Sequence, residues 1–264
     1  MFSRLFTLAL AMIMLTPAAS QAENLSVLTP RGAHLAVVAD FPAGPGPHPA
    51  IVLAPGQGYP MNLPALAETA HALVAHGVAV FRFNWAYYDA VPRGQPAADL
   101  SSELEDLQSV LVAARSHPRV ASKVLSVGGK SLGSVVAWRA LVADPGLRSG
   151  LFLTPICSRL RKGESEPQAV ARENYPGFEA ERRATLIVSG RRDPLCAAPV
   201  LYRFAATSTG DARVAIVGGD HSFEDQALPA AAAEAARARN MEAVAALAAG
   251  FVAEMSSDLA QAAP

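Results

Sequence analysis

Gly129-Lys130-Ser131-Leu132-Gly133 carries the residue types and spacing of a nucleophilic turn. The apolar run 123–128 before it is the pattern of a central strand in a parallel sheet. After Gly133, the residues Val135, Val136, Trp138, Leu141 and Val142 recur at helical spacing. A serine between two such elements sits in strained backbone that lifts its hydroxyl clear of the sheet. Residues two before and two after it must lack bulk so that strand, turn and helix can close on one another. The N–H of the next residue, Leu132, then points where an oxyanion would form. Gly-Lys-Ser also occurs in phosphate-binding loops, but that motif requires glycine at position 124, where this chain has Val124. Taken alone, the motif also fits a plain Gly/Ser-rich turn.

The partners that a serine nucleophile needs follow in order. A serine hydroxyl is weakly nucleophilic at neutral pH and requires a base such as imidazole. The β-branched run 184–190 is followed by Asp193, and the run 213–217 by Gly218-Gly219-Asp220-His221-Ser222-Phe223. Both Asp193 and His221 therefore fall just past strand carboxyl ends, the edge at which open α/β sheets bind ligands. The expected roles are Ser131 as nucleophile, His221 as base, and Asp193 as the group that fixes the imidazole tautomer. The other histidines fit worse. His34 and His48 precede strands, His71 and His76 lie in a helical pattern, and His117 precedes Pro118. Asp220, adjacent to His221, reads as a turn residue.

These residues need a scaffold that alternates strands and helices. Residues 33–41 read as an edge strand, and strands follow at 50–54, 78–83, 123–128, 150–156, 184–190 and 213–217. Helical patterns centre on Leu66–Val74, on 100–114 and on the segment after Gly133, with a closing Ala-rich helix at about 239–256. Alternation of this kind implies a mostly parallel sheet with helices on both faces. Pro55-Gly56-Gln57-Gly58 follows the first core strand, which makes the N–H of Gln57 the candidate second oxyanion donor. Tyr59, Trp85, Tyr87 and Tyr88 also lie past strand ends, as pocket-lining candidates or as packing. Arg191 and Arg192 read as a solvated pair. The segment 158–183 is too short for a large cap domain.

Lys and Arg number 22 against 23 Asp and Glu, so no basic excess points to nucleic acid. Met1–Ala22 reads as a secretory signal, with Arg4 before the apolar run Leu5–Leu15 and a small-x-small site at Ser20-Gln21-Ala22. That run is well short of the ~20 residues needed to span a bilayer. The expectation is one mature domain over 23–264, in the bacterial periplasm or medium, without stable membrane insertion, metal or cofactor.

The nucleophile motif, Asp193 and Gly219-Asp220-His221-Ser222-Phe223 together resemble the α/β-hydrolase superfamily over nearly all of the chain after Ala22. Within it, they resemble the small, cap-poor dienelactone-hydrolase-like group. The resemblance implies an α/β-hydrolase fold and a serine hydrolase acting on a small carboxylic ester through an acyl-enzyme, with amides and thioesters less favoured. Dienelactone hydrolases carry cysteine where this chain has Ser131, and the common oxyanion sequence His-Gly is Pro55-Gly56 here. Some proteins on this fold are not enzymes, so a binding or scaffold protein is the alternative. In such a sheet the strands before Cys157 and Cys196 are neighbours, and a disulfide between them is expected to tie down the loop bearing Asp193.

Overall fold

A computed structural model describes residues 20–160 and 162–261. The expected signal segment thus lies outside the described residues as far as residue 19. The chain runs through β1 (Gln21–Leu28), β2 (His34–Phe41), β3 (His48–Ala54), α1 (Pro64–Ala75), β4 (Ala79–Phe83), α2 (Ala86–Asp89) and α3 (Ser101–Ser116). It continues through β5 (Val120–Lys130), α4 (Leu132–Ala143) and β6 (Leu147–Leu153). A short insert follows, with β7 (Ser158–Arg159), β8 (Gln168–Ala169), α5 (Ala171–Asn174) and a 3-10 turn at Phe178–Ala180. β9 (Thr185–Gly190), α6 (Ala198–Ala205), β10 (Ala212–Val217) and α7 (Ala230–Gln261) complete it.

Eight strands form one sheet in the order β1-β2-β4-β3-β5-β6-β9-β10. β1 pairs antiparallel with β2, and β2 antiparallel with β4; every other pairing in this sheet is parallel. The inner strands are apolar because both faces are covered. Val52, Phe81, Val127, Phe152 and Ile187 face α3, α4 and α6, where Leu107, Val110, Val136, Trp138 and Leu201 bury with them. Their neighbours Ile51, Leu53, Val80, Leu151 and Val188 face the other way, against Leu66 and Leu73 of α1 and Met241, Val244 and Phe251 of α7. This is the α/β-hydrolase fold, with helices on both faces of a mostly parallel sheet.

Several boundaries differ from the sequence expectation. β6 covers Leu147–Leu153 rather than 150–156, since the chain turns at Thr154-Pro155, and β5 extends over Val120–Lys130 beyond the expected 123–128. β2 is not the edge strand: β1 lies outside it, and Gln21 and Ala22 are already paired with Phe41 and Asp40. Only Leu25 and Val27 of β1 pack inward between exposed neighbours, a weak alternation next to the expected leader boundary. The closing helix begins at Ala230 rather than near Arg239. Its buried anchors start at Ala236 and Met241, and the turns before them are mostly exposed alanine, helical by propensity rather than burial.

Candidate active site

Ser131 stands between β5 and α4 with φ 54° and ψ −119°, a positive φ that non-glycine residues seldom adopt. Its neighbours explain how the strain is held. The Ser131 N–H donates to Leu153 O of β6 at 3.0 Å. A Cβ on Gly129 would lie 2.4 Å from the carbonyl of Gly133, and one on Gly133 would lie 2.4 Å from Ala54 O. Only glycine at both positions lets α4 start directly over the ends of β5 and β3.

Asp193 and His221 arrive from the two strands on the far side. Asp193 follows β9; its side chain is fully buried, and Oδ1 accepts the Leu195 N–H at 2.8 Å while Oδ2 accepts the Ser189 hydroxyl at 3.3 Å. His221 follows β10 in a turn that Asp220 closes by accepting the N–H groups of Ser222 and Glu224. A Cβ on Gly190 would sit 2.1 Å from Asp220 O, so glycine at the end of β9 is what admits this turn.

The three side chains meet. His221 Nε2 is 2.8 Å from Ser131 Oγ, and His221 Nδ1 is 2.9 Å from both carboxylate oxygens of Asp193. A carboxylate can only accept, so Nδ1 carries the proton and Nε2 is left as the acceptor facing the Ser131 hydroxyl. Ser131 is half-buried and the His221 side chain 20% exposed, so both are reachable from solvent. The arrangement can deprotonate Ser131 and hold the resulting imidazolium beside a buried anion.

Around this line the sequence-based assignments divide. Leu132 is the first residue of α4, where N–H groups lack intrahelical partners. Gly56 backs onto Ser131, since a Cβ there would lie 3.5 Å from Ser131 Cβ, and Gln57 is the exposed residue that follows. Trp85 does not line a pocket: it is 1% exposed and donates from Nε1 to Pro55 O at 3.0 Å, bracing the turn before Gln57. Tyr59, by contrast, is half-buried and also serves as a support. Its hydroxyl accepts the Ala65 N–H at the start of α1, and its ring faces Lys130. Tyr87 is half-buried with its hydroxyl enclosed, and burial pushes that hydroxyl up to about 12. Tyr88 carries Arg93 over its ring, and Arg192 pairs with Asp225 at 2.6 Å.

Cys157 and Cys196 form a disulfide. It joins the loop after β6 to the residue three past Asp193, and the Cys157 and Ser158 N–H groups both donate to Leu195 O at 2.9 Å. Three contributors have no role in the sequence-based expectation: Ser189, Lys130 and Tyr175. Ser189 alternates with Val188 at the end of β9, a position that pattern alone could have placed at the edge. Lys130 is 2% exposed, and burial pushes its amine down to about 8 against the pull of Asp193, Asp220 and Glu224. Tyr175 gives no sequence signal, because the insert has no periodicity that fixes where a side chain points. Among the described residues no His/Cys/Asp/Glu group is arranged to hold a metal, and no helix is long and apolar enough to cross a membrane.

Residues 47–253 match the family described as "Alpha/beta hydrolase domain". No curated protein matches significantly. Among solved structures, the chain is similar to a dienelactone hydrolase from Anabaena variabilis at TM-score 0.64 and 17% identity, covering 88% of this chain and 96% of that one. An esterase domain from Rhodothermus marinus gives 0.61 and 17%, over 88% and 100% of the two chains. A serine hydrolase without lid from Xanthomonas campestris gives 0.61 and 18%, over 92% and 98%. At these identities the likeness is one of fold.

Proposed function

The chain belongs to the α/β-hydrolase family, and from that premise we propose that it is a serine hydrolase cleaving a small carboxylic ester through an acyl-enzyme. The observation that carries this reading is the unbroken line from Ser131 Oγ through His221 to Asp193, at 2.8 and 2.9 Å. His221 takes the Ser131 proton as Oγ attacks the ester carbonyl. The negative charge on the former carbonyl oxygen is met by the Leu132 and Gln57 N–H groups. When the tetrahedral intermediate collapses, the bond to the alcohol breaks and His221 protonates the leaving oxygen. Water, deprotonated by the same imidazole, then cleaves the acyl-serine and restores the free hydroxyl. Asp193 stays ionised throughout and stabilises the imidazolium.

Support for a small substrate comes from the insert, whose longest helix is the four residues Ala171–Asn174. Tyr59 and Tyr87, both half-buried beside the Gly56–Gly58 turn, remain the aromatic candidates for the acyl or alcohol pocket. The disulfide fits an oxidising compartment, so we place the protein in the periplasm or medium after removal of the leader near Ala22.

A fluorophosphonate probe tests the reading directly. The wild-type protein is expected to become labelled at Ser131 and to hydrolyse short p-nitrophenyl esters. A folded protein that does neither is the binding or scaffold alternative.

A further inference from the structure

The carbonyl of Ser131 is held as firmly as its hydroxyl. It accepts the Ser134 N–H at 2.9 Å and the Ser134 hydroxyl at 2.6 Å. Ser134 Oγ lies 2.8 Å from the hydroxyl of Tyr175, which in turn is 3.0 Å from the Ile156 N–H. The ends of this chain fix its direction. A backbone N–H can only donate and a carbonyl can only accept. Ile156 therefore donates to Tyr175, Tyr175 to Ser134, and Ser134 to Ser131. Ser134 and Tyr175 are both buried, and burial raises the Tyr175 hydroxyl further above neutrality, which keeps it a donor.

The Ser131 carbonyl and the Leu132 N–H belong to one rigid peptide plane. Holding the carbonyl therefore aims that N–H. In a turn strained at Ser131, this plane is the part free to rotate toward a relaxed conformation, and strain persists only where the surroundings over-determine it. A hydrogen-bonded carbonyl also polarises its own peptide, making the N–H a stronger donor. The far end of the chain is anchored too. Asn174 Nδ2 donates to Ile156 O at 2.8 Å, and the next residue, Cys157, is bridged to Cys196 in the Asp193 loop.

We propose that Tyr175, acting through Ser134, is a positioning residue that aims the Leu132 N–H at the developing oxyanion, which makes the insert a strut for the nucleophile turn. The proposal rests on the serine-hydrolase reading above. An aiming group acts on the transition state rather than on ground-state binding, so its loss should lower kcat and leave KM unchanged.

The test measures kcat, KM, fluorophosphonate labelling rate and Tm for wild type, Tyr175→Phe, Ser134→Ala and the double variant, with a short p-nitrophenyl ester. Each single change is expected to lower kcat and labelling rate roughly tenfold, a fraction of the 10²–10³ lost with a whole oxyanion donor. Because the two act in series, the double variant should be no slower than Ser134→Ala. A folded Tyr175→Phe protein with wild-type kcat overturns the proposal, even if its Tm falls; so do losses that multiply in the double variant. If Tyr175→Phe does not fold, Ser134→Ala, which removes one oxygen, decides by the same criterion. A wild-type protein that neither labels nor turns over sinks the serine-hydrolase reading itself, and this proposal with it.

Discussion

The ammonium of Lys130 lies 4.4 Å from the centroid of the Tyr59 ring, buried in the residue that precedes Ser131. An aromatic face returns only about 0.5–2 kcal/mol to a cation, less than full desolvation costs. The loops after β9 and β10 contribute Asp193, Asp220 and Glu224, which pull the amine back toward its charged form. Desolvation still wins, and the amine is held down at about 8 against an ordinary 10.5.

This makes Lys130 a stability cost with a definite pH signature. Between about 8 and 10.5 the unfolded chain binds more protons at this site than the folded one, so stability rises with pH across that window. Below it both states are protonated and the full cost is present. Lys130→Met keeps the stem and removes the charge. It is expected to stabilise the protein at pH 7 by roughly 1–3 kcal/mol, with the advantage shrinking above pH 10. Urea unfolding of both proteins at the two pH values reads this out, and equal midpoints at pH 7 would contradict it.

The sequence reveals where each chemical group stands, because strand ends are where periodicity stops and glycine begins. Gly129, Gly133 and Gly190 announce close approaches of backbone that only the folded sheet displays, and Ser131, Asp193 and His221 are legible through them. What lies between strand ends is not. Trp85 lies past a strand end like the pocket candidates, yet it turns in to hold Pro55 O. Direction is set by packing against other segments, and a one-dimensional pattern does not carry it. Lys130 stands out in the sequence only as part of a phosphate-loop rival, since nothing in a sequence says that a lysine is buried.

The disulfide closes a segment of 39 residues around the insert and β9. Loop-closure entropy for such a length corresponds to about 4 kcal/mol, and for a domain of this size each kcal/mol moves Tm by ~2–4 °C. Replacing Cys157 and Cys196 together by alanine should therefore lower Tm by roughly 8–15 °C. Thermal unfolding measures it. A fall of only a degree or two would mean that the bridge joins loops already fixed by the Leu195 hydrogen bonds.

Ser131→Ala removes one oxygen from a half-buried site and leaves the backbone contacts of the turn in place. Turnover of short p-nitrophenyl esters should drop by about four to six orders of magnitude, and probe labelling should vanish, with Tm within a few degrees of wild type. Alanine at a positive φ also tests the turn, since a large Tm loss would show that the hydroxyl contributes to holding it. Residual turnover near wild type would remove Ser131 from the nucleophile role.

Asp193→Asn isolates the tautomer. The amide oxygen must face the Leu195 N–H, which donates to Oδ1 at 2.8 Å, because an NH₂ group there would oppose another donor. The amide nitrogen is then forced to the Oδ2 side, where the Ser189 hydroxyl can turn to accept from it. That places an N–H against His221 Nδ1, 2.9 Å away, and Nδ1 must become the acceptor. The ring proton moves to Nε2 and points at Ser131 Oγ, which removes the base while the fold and the 2.8 Å contact survive. Wrong-tautomer substitutions of this type cost about 10⁴ in kcat in a chymotrypsin-like protease, and a similar loss is expected here. The fall should come in kcat, with Ser131 still in place. An Asp193→Asn enzyme as fast as wild type would show that Asp193 does not orient the base, and the acid would have to be sought elsewhere in the loops after β6 and β9.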